Sequence, residues 1–201
     1  VGDEGLFSTP LGSLESARLV FHSEGGQLSL STGELAGALY QVRFEGPIPD
    51  MKVKDGVVTI RYPKRLWVLS KENRAAEVIL SSSIPWQIAL KGGGAQMTAE
   101  LGSLDLLELE VNGAGSMFRV DLPDPAHVVP IRLGGGGSEF TVRRPPGVAA
   151  RVQMKGWGSG VVFDNQTVND GRLQSPNYEG AVQRYDIETS GSGSMITITT
   201  G

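Results

Sequence analysis

The residues that could do chemistry in this sequence are four regularly placed serines, two histidines and a scatter of carboxylates. Ser116, Ser138, Ser159 and Ser194 each follow a Gly-x-Gly triplet. A serine nucleophile needs a base held against its hydroxyl. The histidines are His22 and His127, and His127 sits in the Pro-bounded segment Asp124-Pro125-Ala126-His127. A Ser/His/Asp triad through His127 can be drawn, but an exposed loop histidine is the simpler reading, and the serines are expected to stack in a ladder along one edge. Two histidines without a shared spacing motif do not make a zinc site. Asp105, Glu108, Glu110 and Asp121 would suit glycoside hydrolysis only if two carboxyl groups faced each other about 5–9.5 Å apart in a groove. Glu108 and Glu110 alternate with apolar residues, which points them to solvent. Asp164, Asn165, Asn169 and Asp170 offer oxygens to calcium. They lack a spaced loop motif and read better as turn formers. Gly156-Trp157-Gly158-Ser159-Gly160 and Gly134–Gly137 look like phosphate-cradling loops, which require a following helix and usually a lysine. Here Val161-Val162-Phe163 follows, a strand pattern. The expectation is therefore no catalytic residue, no metal ligand and no cofactor.

Composition narrows the classes further. Eighteen Lys and Arg against 22 Asp and Glu give a net charge of -4, the wrong sign for generic nucleic-acid binding. The absence of cysteine removes disulfides, thiolate metal sites and Cys nucleophiles together. No apolar run reaches the ~18 residues that span a membrane. The first residue is Val1, which suggests a processed or excised chain with any signal or anchor upstream.

The elements that must position these residues are announced by glycine, 28 of 201 residues. Five corners read Gly92–Gly94, Gly113–Gly115, Gly135–Gly137, Gly156–Gly158 and Gly191–Gly193. Their second glycines, at 94, 115, 137, 158 and 193, stand 21, 22, 21 and 35 residues apart. Ala95, Ser116, Ser138, Ser159 and Ser194 follow. Before each corner alternate Ile88/Leu90, Leu109/Val111, Ile131/Leu133, Val152/Met154 and Ile187/Thr189. After each come Met97/Ala99, Phe118/Val120, Phe140/Val142, Val161/Phe163 and Ile196/Ile198. Period-2 alternation on both sides means two half-buried strands. The glycines mean a corner with positive φ or a backbone approach that a Cβ would block. A fixed period near 21 residues predicts an all-β, single-stranded β-solenoid of stacked coils.

The pattern divides the chain into irregular N-terminal β coils and a cap over 1–85, continuous with a regular repeat solenoid over 86–201. An insertion loop spans about 165–184, and such insertions are often where binding sits. No helix of consequence is expected; the best candidate, Ser70–Glu77, is about two turns. The candidate partner surface combines the basic stretch Arg61, Lys64 and Arg65 around Trp67 with Trp157 and Tyr178 near the insertion.

The segment from Trp86 to Ile198 resembles the toast-rack and putative-adhesin families of bacterial β-solenoid domains. Trp86-Gln87-Ile88-Ala89-Leu90, the run Leu104 to Gly115, Val120-Asp121-Leu122-Pro123, Arg144-Pro145-Pro146-Gly147-Val148 and Tyr178…Tyr185-Asp186-Ile187 carry the likeness. Gly25-Gly26-Gln27-Leu28-Ser29-Leu30 extends it to the N-terminal part. Relatives of that family include LiaF-like cell-envelope stress proteins. The resemblance implies a non-catalytic interaction or scaffold domain, extracytoplasmic or membrane-anchored, with a protein or envelope polymer as partner and homo-oligomers allowed. It transfers no catalytic residue. A carbohydrate-binding or carbohydrate-cleaving β-solenoid is the alternative, and a self-assembling structural protein is a third reading.

Overall fold

The computed structural model describes residues 5–62, 74–168 and 171–201. Among the described residues the chain is all β, with seventeen strands in one hydrogen-bonded sheet. In chain order they are β1 (Leu6–Pro10), β2 (Ala17–Gly33), β3 (Ala38–Glu45), β4 (Asp50–Lys54), β5 (Val57–Arg61), β6 (Ala75–Ser81), β7 (Trp86–Glu100), β8 (Leu106–Ala114) and β9 (Met117–Asp121). Then follow β10 (Val128–Gly134), β11 (Glu139–Arg144), β12 (Ala149–Lys155), β13 (Gly160–Phe163), β14 (Gln166–Val168), β15 (Arg172–Gln174), β16 (Arg184–Ser190) and β17 (Met195–Thr200). Part of the helix candidate, Ala75–Glu77, lies in β6; the rest of it falls mostly outside the described residues.

The sequence repeat becomes a stack of rungs, each bent at its glycine corner. Rungs pair in parallel on both sides of the corner. The alternating apolar residues point into one core. Leu19, Ile88, Leu109, Ile131, Ile187 and Val152 share one register row, and Leu28, Met97, Phe118, Phe140, Ile196 and Val161 share the facing one. None is more than 4% exposed. Each contributes about 1.5–3 kcal/mol by leaving water. Met154 alone among the repeated apolar positions stays half-buried.

The two glycines of a corner do different work. Gly135 has φ 119°, and a Cβ there would lie 1.7 Å from the carbonyl oxygen of Gly113 in the next rung. It permits close approach. Gly137 has φ 63°, and a Cβ there would meet nothing within 4 Å, so it supplies only the left-handed turn. Gly92 and Gly191 repeat the first role, at 1.6 Å from the Ser23 oxygen and 1.8 Å from the Gly135 oxygen. Gly113 and Gly156 do so more loosely, and Gly94, Gly115, Gly158 and Gly193 repeat the second.

The rungs do not stack in chain order, which departs from the expected succession of each coil on the next. In space they run β5/β6, β2, β7, β8/β9, β10/β11, β16/β17 and β12/β13. The last rung of the chain is thus inserted between the two that precede it. The 35-residue spacing and its connector give the chain room to return. At both ends the outermost rung is covered by antiparallel strands. β4 lies on β5, β3 on β6 and β1 on β3. At the other end β14 lies on β13 and β15 on β12.

Candidate interaction surface

The groups with chemical potential are mostly consumed by the stack. Ser116, Ser138 and Ser194 are buried. The backbone N–H of Ala95 donates to Ser116 Oγ (3.2 Å), that of Ser116 to Ser138 Oγ (3.1 Å), that of Ser138 to Ser194 Oγ (3.2 Å) and that of Ser194 to Ser159 Oγ (3.4 Å). The ladder satisfies corner amides and follows the spatial rung order. His127 immediately precedes β10 while Ser138 lies beyond its far end, roughly 23 Å away at about 3.3 Å per residue. No triad can form through it.

One outer face, made by β2, β7, β8, β10, β16 and β12, carries paired charges. Glu108 pairs with Arg132, Lys91 with Glu110 (3.6 Å), Arg151 with Asp186 (3.5 Å) and Lys155 with Glu188 (2.7 Å). The expected solvent-directed Glu108 and Glu110 are therefore half-buried ion-pair partners. In spatial order the signs alternate: Lys91, Glu108 and Glu110, Arg132, Asp186 and Glu188, then Arg151 and Lys155. In chain order Arg132 would meet Arg151 and Lys155. Each exposed pair is worth at most about 1 kcal/mol, but together they favour the inserted order over the sequential one.

Asp164, considered for calcium, is also taken. Arg144 is buried and donates Nη1 to Asp164 Oδ1 (2.9 Å) and Nη2 to Oδ2 (2.5 Å), with Nε to the Val148 carbonyl (2.9 Å). Its guanidinium lies 4.9 Å from the centre of the Phe163 ring. Asp164 and Asn165, at φ 47° and 66°, form the two-residue turn between β13 and β14. Asn169 and Asp170 lie outside the described residues.

The opposite outer face, made by β6, β2, β7, β9, β11, β17 and β13, is different. Two adjoining hollows of ≈ 440 and ≈ 360 Å³ cross its strands and share Gln96 and Thr98. The first is bordered by Arg43, Glu45 and Glu77, the second by Met117, Arg119, Glu139 and Thr141. Among the described residues none of these five charged side chains makes an ion pair. Gln27 Nε2 donates to Gln96 Oε1 at 3.4 Å. Two register rows continue the track: Gln27, Gln96, Met117, Glu139, Met195, Gly160, and Ser29, Thr98, Arg119, Thr141, Thr197, Val162. Sequence reasoning missed these groups. Their signal was positional, since each Thr98, Arg119 or Thr141 stands between two inward residues of the repeat.

The candidate partner residues do not form one surface. Arg61 is exposed at the end of β5, while Lys64, Arg65 and Trp67 lie outside the described residues. Trp157 sits at the other end of the stack, on the corner of the outermost rung, and is 92% exposed. Register rows place Arg61 and Lys155 six strand spacings apart, about 29 Å at about 4.8 Å per spacing. Tyr178, expected at a partner surface, is instead buried at 1% exposure. Its hydroxyl donates to the Asp186 carboxylate, and the guanidinium groups of Arg151 and Arg184 lie 4.7 and 4.5 Å from its ring centre. Burial first, and then the carboxylate, raise the Tyr178 pKa. Ser175 exchanges hydrogen bonds with Ala150 at 2.9 and 3.0 Å. This part of the insertion is a clasp on the stack, because charged groups of β12 and β16 meet its one aromatic.

No family model matches the chain, and no curated protein matches it. Among solved structures, a putative cell adhesion protein from Clostridium sporogenes ATCC 15579 is similar over 98% of each chain, with 18% identity and a TM-score of 0.80. A putative adhesin from Bacteroides fragilis NCTC 9343 aligns over 98% of each chain with 12% identity and a TM-score of 0.40. The first likeness establishes a shared fold. No helix among the described residues is long and apolar enough to cross a membrane.

Proposed function

We propose that this chain is a non-catalytic interaction domain of a bacterial cell surface, built as a β-solenoid of the toast-rack type. In this reading residues 1–85 cap and 86–201 carry the regular stack. The hollowed face is the contact surface, and the partner is an envelope polymer or protein. The fold shared with a structure described as a putative cell adhesion protein supports it. So does the relation to LiaF-like envelope proteins that the sequence suggests. The observation that carries it is the contrast between the faces. One spends most of its charges on pairs across the rungs; the other holds the Arg143–Asp121 pair (2.7 Å) but leaves Arg119, Glu139, Arg43, Glu45 and Glu77 without ion-pair partners among the described residues. The antiparallel strands over both outer rungs speak against open-ended self-assembly.

Binding of the labelled protein to bacterial cell-wall preparations, washed membranes and immobilised envelope proteins tests this. Arg119→Glu is expected to abolish binding to one of these fractions, and Gln153→Arg on the charge-paired face to leave it unchanged. Equal loss with both variants, or no loss with Arg119→Glu, would remove the assignment of the face. Release of reducing ends from any wall glycan would overturn the non-catalytic part.

A further inference from the structure

The corner ladder of the stack has a direction, and it ends open. The Gly115 N–H donates to the Gly136 carbonyl (2.9 Å), the Gly137 N–H to the Ser192 carbonyl (3.0 Å) and the Gly193 N–H to the Gly158 carbonyl (3.0 Å). Beside each, a serine hydroxyl of the next rung receives the following N–H. Each of these three corners therefore takes one carbonyl oxygen and one hydroxyl oxygen from its neighbour. The outermost rung, β12/β13, has no further corner beyond it. Among the described residues no acceptor meets the N–H groups of Gly158 and Ser159. The last step also shifts register. Gly158, not the residue between the glycines, supplies the carbonyl, and Trp157 swings out to 92% exposure. One rung in from the opposite end, the β2 corner is covered: Gln27 N–H donates to the Arg74 carbonyl (2.8 Å), and Arg74 Nη1 to the Glu24 carbonyl (3.2 Å).

We propose that this open corner and the hollowed face beside it form one binding track for a linear N-acyl-amino glycan, an assignment that rests on the interaction reading above. The corner lacks a carbonyl and a hydroxyl oxygen; an N-acylated sugar supplies both, and its ring face stacks on an exposed aromatic plane. A stable protein interface buries about 800 Å² on each partner, far more than one exposed ring at a corner offers. Trp157 is the one aromatic there, flanked by Gly156, Gly158 and Gly160, with the half-exposed Met195 beside Gly160. A second copy placed corner to corner would set donors against donors. From Gly160 the track runs through Met195 to Glu139, where the hollows begin, and on to Met117 and Gln96. A pyranose unit is close in length to one strand spacing, so successive sugars can meet successive rungs. Amide, hydroxyl and guanidinium groups of Gln96, Thr98 and Arg119 suit sugar hydroxyls.

Calorimetric titration of the whole chain with N-acetylglucosamine oligomers of increasing length, and with glucose oligomers of the same linkage, tests the assignment. The acetylated series is expected to bind about tenfold more tightly, with affinity rising up to about six units, one per strand spacing. Trp157→Ala should weaken all lengths about tenfold. Thr98→Trp should weaken only the longer oligomers. Both positions are exposed, so unchanged unfolding midpoints will show that the variants fold. Equal affinity for the two series, or full binding by Trp157→Ala, would overturn the proposal. If neither series binds while Arg119→Glu still abolishes capture by an envelope fraction, the glycan assignment fails and the interaction reading stands. If Arg119→Glu has no effect either, both fail.

Discussion

The two ends of the stack are built alike and held differently. At each end the first or last rung of the chain is tucked one place inward, and the outermost rung is covered by antiparallel strands. The N-terminal end has the broader cover, with the eight-residue β3 and with β1 and β4. It closes on aromatic packing. Phe44 lies 6.4 Å from Tyr62 and 5.8 Å from Phe7, and Phe21 lies 6.2 Å from Tyr62. The C-terminal end has two cover strands of three residues each. Beside Val168 and Leu173, which pack on the core, polar clasps tie this cover down: Arg144 on Asp164, and Tyr178 between Arg151, Arg184 and Asp186. Burial is tolerant of small shifts, whereas a buried guanidinium needs each partner in position. A short cover can close a stack if the rungs beneath it lend it charges.

The strongest test of the comparison puts the same steric insult at both ends. Gly92→Ala and Gly191→Ala each set a methyl group within 2 Å of a neighbouring carbonyl oxygen, at 1.6 and 1.8 Å. Rungs must part in both. Each rung contacts chiefly its neighbours, so unfolding is expected to stay on the damaged side. Hydrogen exchange should show Gly191→Ala losing protection in β12, β13, β16 and β17 while β2, β5 and β6 keep theirs. Gly92→Ala should do the reverse. Uniform loss in either variant would show one cooperative unit and erase the distinction between ends.

A smaller effect separates the two ways of closing. Phe44→Ala removes a ring that is 6% exposed and should cost about 3–4 kcal/mol. Arg144→Ala leaves Asp164 and the Val148 carbonyl without their donor and should cost about 3 kcal/mol. The pairing test lies in the conservative changes. Phe44→Leu should recover most of the loss at the N-terminal end, because volume and apolarity suffice there. Arg144→Lys should recover little, since an ammonium cannot reproduce the two-pronged contact. Denaturation midpoints of the four variants decide it.

Much of this architecture was legible in the sequence, and the remainder was hidden for definite reasons. The alternating residues around each Gly-x-Gly named the core rows, and nearly all of them are buried. The glycine types were readable because a Cβ at Gly135 would lie 1.7 Å from a neighbouring carbonyl oxygen, and because glycine takes a φ near 63° without strain. Rung order was not readable from the repeat, since every rung offers the same apolar edge to any other. Its signal lay in Arg132, Asp186 and Arg151, whose signs make sense only once outward positions of non-adjacent segments are compared. Tyr178 was misplaced because a segment rich in Asn, Gly, Ser and Pro looks solvent-exposed, and the residues that bury it are supplied by β12 and β16. Trp157 was noticed at its corner, but the open amides beside it follow from rung order alone.

The smallest effect concerns pH and touches only the N-terminal end. His22 stands in register between Arg61 and Lys91. Burial, then Arg61, then Lys91 lower its pKa below the usual 6.5, and Glu24 opposes them. In the unfolded chain the histidine titrates near 6.5, so on acidification the unfolded state binds its proton first. Stability is therefore full above about pH 7 and declines as pH falls through 6.5 towards the lowered folded value. Hydrogen exchange in β2 and β5, corrected for its intrinsic pH dependence, should accelerate over that interval. His22→Gln should remove the acceleration. Arg61→Gln should move its midpoint upward, because it takes away the larger of the two opposing charges. A midpoint that stays in place in Arg61→Gln would mean that burial, with Lys91, sets the shift without Arg61. The N-terminal end would then owe less to its charges than to apolar packing, and the contrast with the charge-clasped end would be sharper still.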